Sequence, residues 1–134
     1  MNTKENVLSK LTTGLRRETV AYRIYGIVML ALSVITILSG IFILLTDTSV
    51  NTLALGNDSN YMVLSYGGVL LTFAIVNLIR SFRIGKYRLS ETQTIKHASS
   101  VGSIVLAAIF NEIALIFAII NFVTAKTNQQ VLEA

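Results

Sequence analysis

The chain has 134 residues, of which 53% are hydrophobic and only 13% charged, and its formal net charge is +4. Soluble domains carry about 25% charged residues, and a single core of this size could not hide the excess apolar surface. The absence of cysteine excludes a disulfide framework, a thiolate metal site and a cysteine nucleophile, and the one histidine, His97, has no Asp or Glu at ligand spacing.

In chain order, residues 4–20 place Val7, Leu8, Leu11 and Leu15 on one helical face, with Lys10, Arg16, Arg17 and Glu18 elsewhere. That pattern predicts a short amphipathic helix lying in the membrane interface, so that residues 1–23 form a cytoplasmic segment. Residues 24–45 are the first apolar run. At 1.5 Å per residue they extend about 33 Å, enough for a bilayer core of about 30 Å. A secretory signal has an apolar region of only about 7–15 residues and a small-residue cleavage site. This run is longer, begins late and lacks that site, so it reads as a retained anchor. Connector 46–60 contains the turn signal Gly56-Asn57-Asp58.

Residues 61–79 form the second run. In connector 80–100, Gly85 predicts the turn after it, and Ser90-Glu91-Thr92-Gln93 has capping-box spacing. The third helix is therefore expected to start near Glu91 and continue unbroken through the third run, residues 101–123. Tyr22, Tyr25, Tyr61 and Tyr87 lie near span ends, where aromatic rings anchor at headgroup level. The expected fold is all-α: an integral membrane three-helix bundle over residues 24–124, preceded by the interfacial helix and followed by a frayed external tail, 125–134.

Basic residues set the expected orientation. Arg16, Arg17 and Arg23 join Lys4 and Lys10 before the first span, and Arg80, Arg83, Lys86, Arg88 and Lys96 fill the second connector. The first connector carries no Lys or Arg and the tail only Lys126. The positive-inside rule then predicts a multi-pass protein of the cell membrane, N-terminus cytoplasmic and C-terminus external. Topology explains these charges without nucleic acid.

Small residues permit close helix approach in lipid. Gly26, Ser33, Thr36 and Gly40 form such a seam on the first span. Ser103, Ala107, Asn111, Ala114, Ala118 and Asn121 form another on the third, so these two spans are expected to pack together.

Glu112 is the one charged side chain of the third run, near its middle. A charge at that depth costs at least roughly 2.5–3.5 kcal/mol and marks a functional candidate. It falls roughly 145° from the small-residue seam at 100° per residue, so it is expected to face the second span or another polypeptide. Thr72, Tyr66 and Asn77 are the polar side chains of the second span nearest to it, with Asn111 beside it. At this one carboxylate the chain resembles the rotor subunits of rotary ATPases and the small multidrug transporters. Two-helix glycine-rich hairpins and four-span chains with a first-span glutamate depart from the present pattern, and neither family is assigned.

The remaining acids are scattered and no paired constellation for catalysis or metal binding is present, so neither an enzyme nor a cofactor is expected. The expected function is that of an accessory or assembly subunit of a bacterial membrane complex, acting through helix contacts with another membrane protein and the lipid bilayer. The alternatives are a homo-oligomeric transporter or channel using Glu112 as an ion-coupling carboxylate, and a membrane-embedded immunity-type protein.

Overall fold

The structure, a computed structural model, describes residues 3–46 and 59–133, and every regular element among them is an α-helix. The expected turn at residues 56–58 and the Tyr61 ring lie outside what is described. The helices are α1 (Lys4–Thr46), α2 (Ser59–Tyr87), α3 (Glu91–Ala98), α4 (Val101–Phe110), α5 (Glu112–Thr127) and α6 (Gln129–Glu133). Two of them, over Lys4–Leu45 and Met62–Tyr87, are long and apolar enough to cross a membrane. The chain divides into two compact units, one of Met1–Tyr25 with Asn77–Ala134 and the other of Gly26–Val76.

In the Gly26–Val76 unit, the second half of α1 packs on the first half of α2. A Cβ at Gly40 would lie 2.8 Å from Leu64 Cδ2, and one at Gly67 would lie 2.6 Å from Ile37 Cγ1. Gly26, Ser33 and Gly40 are buried and Thr36 is half-buried. The end of the first-span seam formed by Thr36 and Gly40 therefore meets the second span. The expected pairing of Gly40 with the third span is corrected: Gly67 on α2 provides the complementary gap, against Ile37 and Thr36.

In the other unit, the expected separate interfacial helix is the opening half of α1. Its apolar stripe is not turned to a membrane surface: Val7, Leu11, Leu15 and Tyr22 are fully buried and share a core with Ile84, Ala107, Ala114, Ala118 and Leu132. Tyr22 is thus a core residue rather than a headgroup anchor, and Tyr87, half-buried, stacks at 5.5 Å on His97.

Two further corrections follow between α2 and α4. Gly85 is helical and the turn comes at residues 88–90. Ser90 occupies the N-cap position of α3, but its side chain makes no capping bond; Thr94 Oγ1 instead donates to the Ser90 and Tyr87 carbonyls. The helix expected to run on from Glu91 stops at Ala98. After extended Ser100, whose hydroxyl accepts from Ser103 N at 3.3 Å, α4 begins.

The third span is the largest correction. Asn111 has extended backbone (φ −158°, ψ 101°) and divides residues 101–123 into α4 and α5. Glu18 accepts hydrogen bonds from both Ser103 and Asn121. A continuous helix would separate those two residues by about 27 Å, so α4 and α5 fold back on each other with Asn111 at the apex. From there α5 and α6 return along the first half of α1. Asn111 reaches the Ala21 carbonyl, Asn121 reaches Glu18, and Leu132 joins the core that holds Val7. Residues 125–133 are therefore helical and anchored by buried Ala125 and Leu132, not a frayed tail. Asn111 breaks the helix because its short amide competes with backbone groups for hydrogen bonds, and here it finds partners in every direction.

Candidate functional site

Buried polar residues of α1, α2, α3, α4 and α5 converge inside this unit. The helical repeat explains how α1 supplies Glu18. At 100° per residue it stands only about 20° from Val7 on the helical wheel, in the middle of the apolar stripe. The stripe's packing therefore carries the carboxylate into the core, where its relative exposure is 0%.

A carboxylate so placed must be paired and hydrogen-bonded. His97 Nε2 lies 3.2 Å from Glu18 Oε1, Ser103 Oγ donates to the same oxygen at 3.5 Å, and Asn121 Nδ2 donates to Oε2 at 3.2 Å. Arg80 adds a second layer. Its Nη2 donates to Ser103 Oγ at 3.4 Å, and its guanidinium carbon sits 5.7 Å from the centre of the Tyr22 ring. Burial pushes the Tyr22 hydroxyl above the ordinary tyrosine range, the Arg80 charge acting in the opposite direction.

Serine, histidine and a carboxylate in contact invite comparison with a hydrolytic triad. The geometry argues otherwise. In a triad the nucleophile and the carboxylate occupy opposite imidazole nitrogens, whereas Ser103 Oγ and Glu18 Oε1 both lie 3.2 Å from Nε2. The arrangement holds a buried carboxylate; it does not activate Ser103.

A second polar group occupies the apex of the α4–α5 hairpin. Asn111 Oδ1 accepts from Ile113 N at 3.1 Å and Ala114 N at 3.0 Å, capping α5. Its Nδ2 donates to the Ala21 carbonyl and to Asn77 Oδ1, while Asn77 Nδ2 donates to the Phe110 carbonyl. The amide pair thus satisfies both sides of the helix break.

Of the residues selected from sequence, Asn111 and Asn77 are brought together. Glu112 is not buried with them: it is exposed in the first turn of α5, and among the described residues its carboxylate has no hydrogen bond or ion pair. In the sequence on either side of it, Val105, Ile109, Ile113 and Ile116 are each at least half exposed. Tyr66 and Thr72 belong to the other unit. Tyr66 is exposed, and Thr72 donates to the Gly68 carbonyl of its own helix. Ser103, Ala107, Ala114 and Ala118 are buried. Among the basic residues, Arg16, Arg17, Arg23, Arg83 and Lys86 are exposed; Arg80 and Arg88 are half-buried.

Sequence reasoning missed Glu18, His97 and Arg80 as a cluster. The signal for Glu18 was present in the Val7, Leu11, Leu15, Glu18, Tyr22 spacing. For His97 there was none, since its carboxylate partner lies 79 residues away. Among the described residues no group of three or more His, Asp and Glu side chains is placed to hold a metal ion. The chain matches no protein-family model, no curated protein and no solved structure, so its own residues carry the functional reading.

Proposed function

We propose that the chain is a membrane protein with two spans, residues 26–45 of α1 and 62–79 of α2, that serves as an accessory or assembly subunit of a membrane complex. The exposure of those helices supports the membrane assignment. Their most apolar windows are only 11% and 22% buried, whereas a core helix of a soluble protein hides such side chains. Charge supports one orientation. Lys4, Lys10, Arg16, Arg17, Arg23, Arg80, Arg83, Lys86, Arg88, Lys96 and Lys126 are all eleven Lys and Arg of the chain, and all belong to the unit of residues 1–25 and 77–134. Its five acids, Glu5, Glu18, Glu91, Glu112 and Glu133, leave it at 11 − 5 = +6, while Asp47 and Asp58 leave the other unit at −2. By the positive-inside rule the basic unit is cytoplasmic. Lys126 no longer stands apart once the chain folds back at Asn111, and both ends of the chain lie on the cytoplasmic side.

One observation carries the subunit role: Glu112 is exposed amid isoleucines and is answered by no group among the described residues. The α5 dipole favours a carboxylate in the first helical turn, but it gives no reason for Ile109, Ile113 and Ile116, close to it in sequence, to be exposed as well. A partner surface that covers the exposed isoleucines and offers an amide or cation to Glu112 accounts for both features. No catalytic role is proposed, because the buried Ser103–His97–Glu18 contact lacks the geometry of a relay.

A photo-crosslinking residue at Ile113 or Ile116, activated in native membranes, tests this reading. It should capture a polypeptide of defined mass, and Glu112→Leu should abolish capture while Glu112→Gln largely preserves it. Adducts spaced by multiples of 14.7 kDa identify a second copy of this chain; adducts with lipid alone refute the subunit role.

A further inference from the structure

A cleft of about 460 Å³ opens beside the buried carboxylate network, with His97 and Ser103 common to both. Its walls include Arg80 from α2, Lys96 and His97 from α3, and Ser100, Gly102 and Ser103 around the start of α4. We propose that this cleft binds a phosphate group, as a monoester or diester.

Charge gives the first reason. Arg80 and Lys96 bring two cations from different helices to one concavity, and no acidic residue lines it. The nearest carboxylate of the network, Glu18, is fully buried behind Ser103 and already receives donors from His97, Ser103 and Asn121. Donor inventory gives the second. Arg80 commits Nη2 to Ser103 Oγ at 3.4 Å, while Lys96 is exposed and makes no hydrogen bond or ion pair among the described residues. A guanidinium presents its donors as a planar fork suited to two oxygens of one phosphate.

Local backbone shape adds to this set. Ser100 is extended and α4 starts immediately after it; its hydroxyl caps the Ser103 amide, and the dipole of α4 favours negative charge at this end of the helix. Gly102 exposes that backbone without a side chain over it. The cleft thus combines the Arg80 guanidinium, the Lys96 ammonium and the start of α4 around one volume. This inference goes beyond the subunit role and does not depend on it. Phosphate on a soluble molecule and phosphate on an anionic lipid headgroup share this chemistry.

Purified protein in neutral maltoside micelles separates the two sources. The probes are inorganic phosphate and dioctanoyl phosphatidic acid, with dioctanoylglycerol as the uncharged baseline, and the readout is the dissociation constant by calorimetry. Saturable binding of both phosphate probes identifies a site open to soluble phosphate; binding of phosphatidic acid alone identifies a lipid-headgroup site. In either case Lys96→Gln and Gly102→Leu should each weaken binding about fivefold or more, the first by removing a charged donor and the second by filling the mouth. Arg17→Gln removes the same charge from an exposed position outside the cleft and should change binding less than about twofold. Binding of neither probe above the diacylglycerol baseline, or equal weakening by Lys96→Gln and Arg17→Gln, overturns the site.

Discussion

Replacing Asn111 with alanine tests the reversal of the α4–α5 segment through the sign of its effect. If residues 101–127 formed one straight helix, alanine would be the better residue there, by roughly 0.6 kcal/mol of helix propensity. In the folded-back structure Asn111 makes four hydrogen bonds, two accepted from Ile113 N and Ala114 N and two donated to Ala21 O and Asn77 Oδ1. Losing an N-cap destabilises by about 1 kcal/mol, and each lost internal hydrogen bond adds about 1 kcal/mol. The expected destabilisation is therefore about 3 kcal/mol, opposite in sign to the straight-helix case. Thermal unfolding followed by circular dichroism in mild detergent should show a melting temperature lowered on the order of 10 °C. An unchanged or raised melting temperature would mean that Asn111 does not sit at a helix break.

Four other outcomes follow from the same geometry. Glu18→Leu should destabilise by about 3–5 kcal/mol in denaturant titration, since His97, Ser103 and Asn121 lose a common acceptor; a loss below about 1 kcal/mol would contradict the network. Gly14→Ala should destabilise by about 1–3 kcal/mol despite alanine's helix propensity, because the new Cβ collides with the Asn121 carboxamide, and a higher melting temperature would count against that packing. Gly40→Leu should impair folding in detergent more than Gly68→Leu, since Gly40 faces Leu64 and Val63 closely and Gly68 has open space, and equal effects would refute the contact. Cysteines at Lys10 and Glu133, introduced into a chain with none of its own, should both resist a membrane-impermeant reagent added outside intact cells; external labelling at position 133 would restore a third crossing.

What the sequence revealed and what it withheld divide along physical lines. Apolar runs long enough for a bilayer are a one-dimensional property, and α1 and α2 contain the first two. The stripe from Ser103 to Asn121 was visible as a small-residue face, and every member of it is buried. Its partner was not visible, because a seam states that something approaches closely without stating what. The break at Asn111 was hidden by the same residues that disguise it. An asparagine inside an apolar run reads equally as a polar contact of a continuous helix and as the cap of a new one, and only Asn77, 34 residues away, together with Ala21, decides between them. Glu112 drew attention because it is the sole charge of that run, while Glu18 was overshadowed by Arg16 and Arg17, although its angular position already matched Val7 and Tyr22.

The wide sequence separation within the Glu18 network has a consequence for biosynthesis. Glu18 leaves the ribosome long before His97, Ser103 and Asn121 exist, the last of them 103 residues later. At about 5–20 residues per second, that interval is roughly 5–20 s. Throughout it, Val7, Leu11, Leu15 and the unpaired carboxylate form an exposed, half-finished surface that only the final quarter of the chain completes. Arrested or truncated chains therefore display a feature that finished molecules conceal, which gives cellular quality control a physical basis for telling them apart.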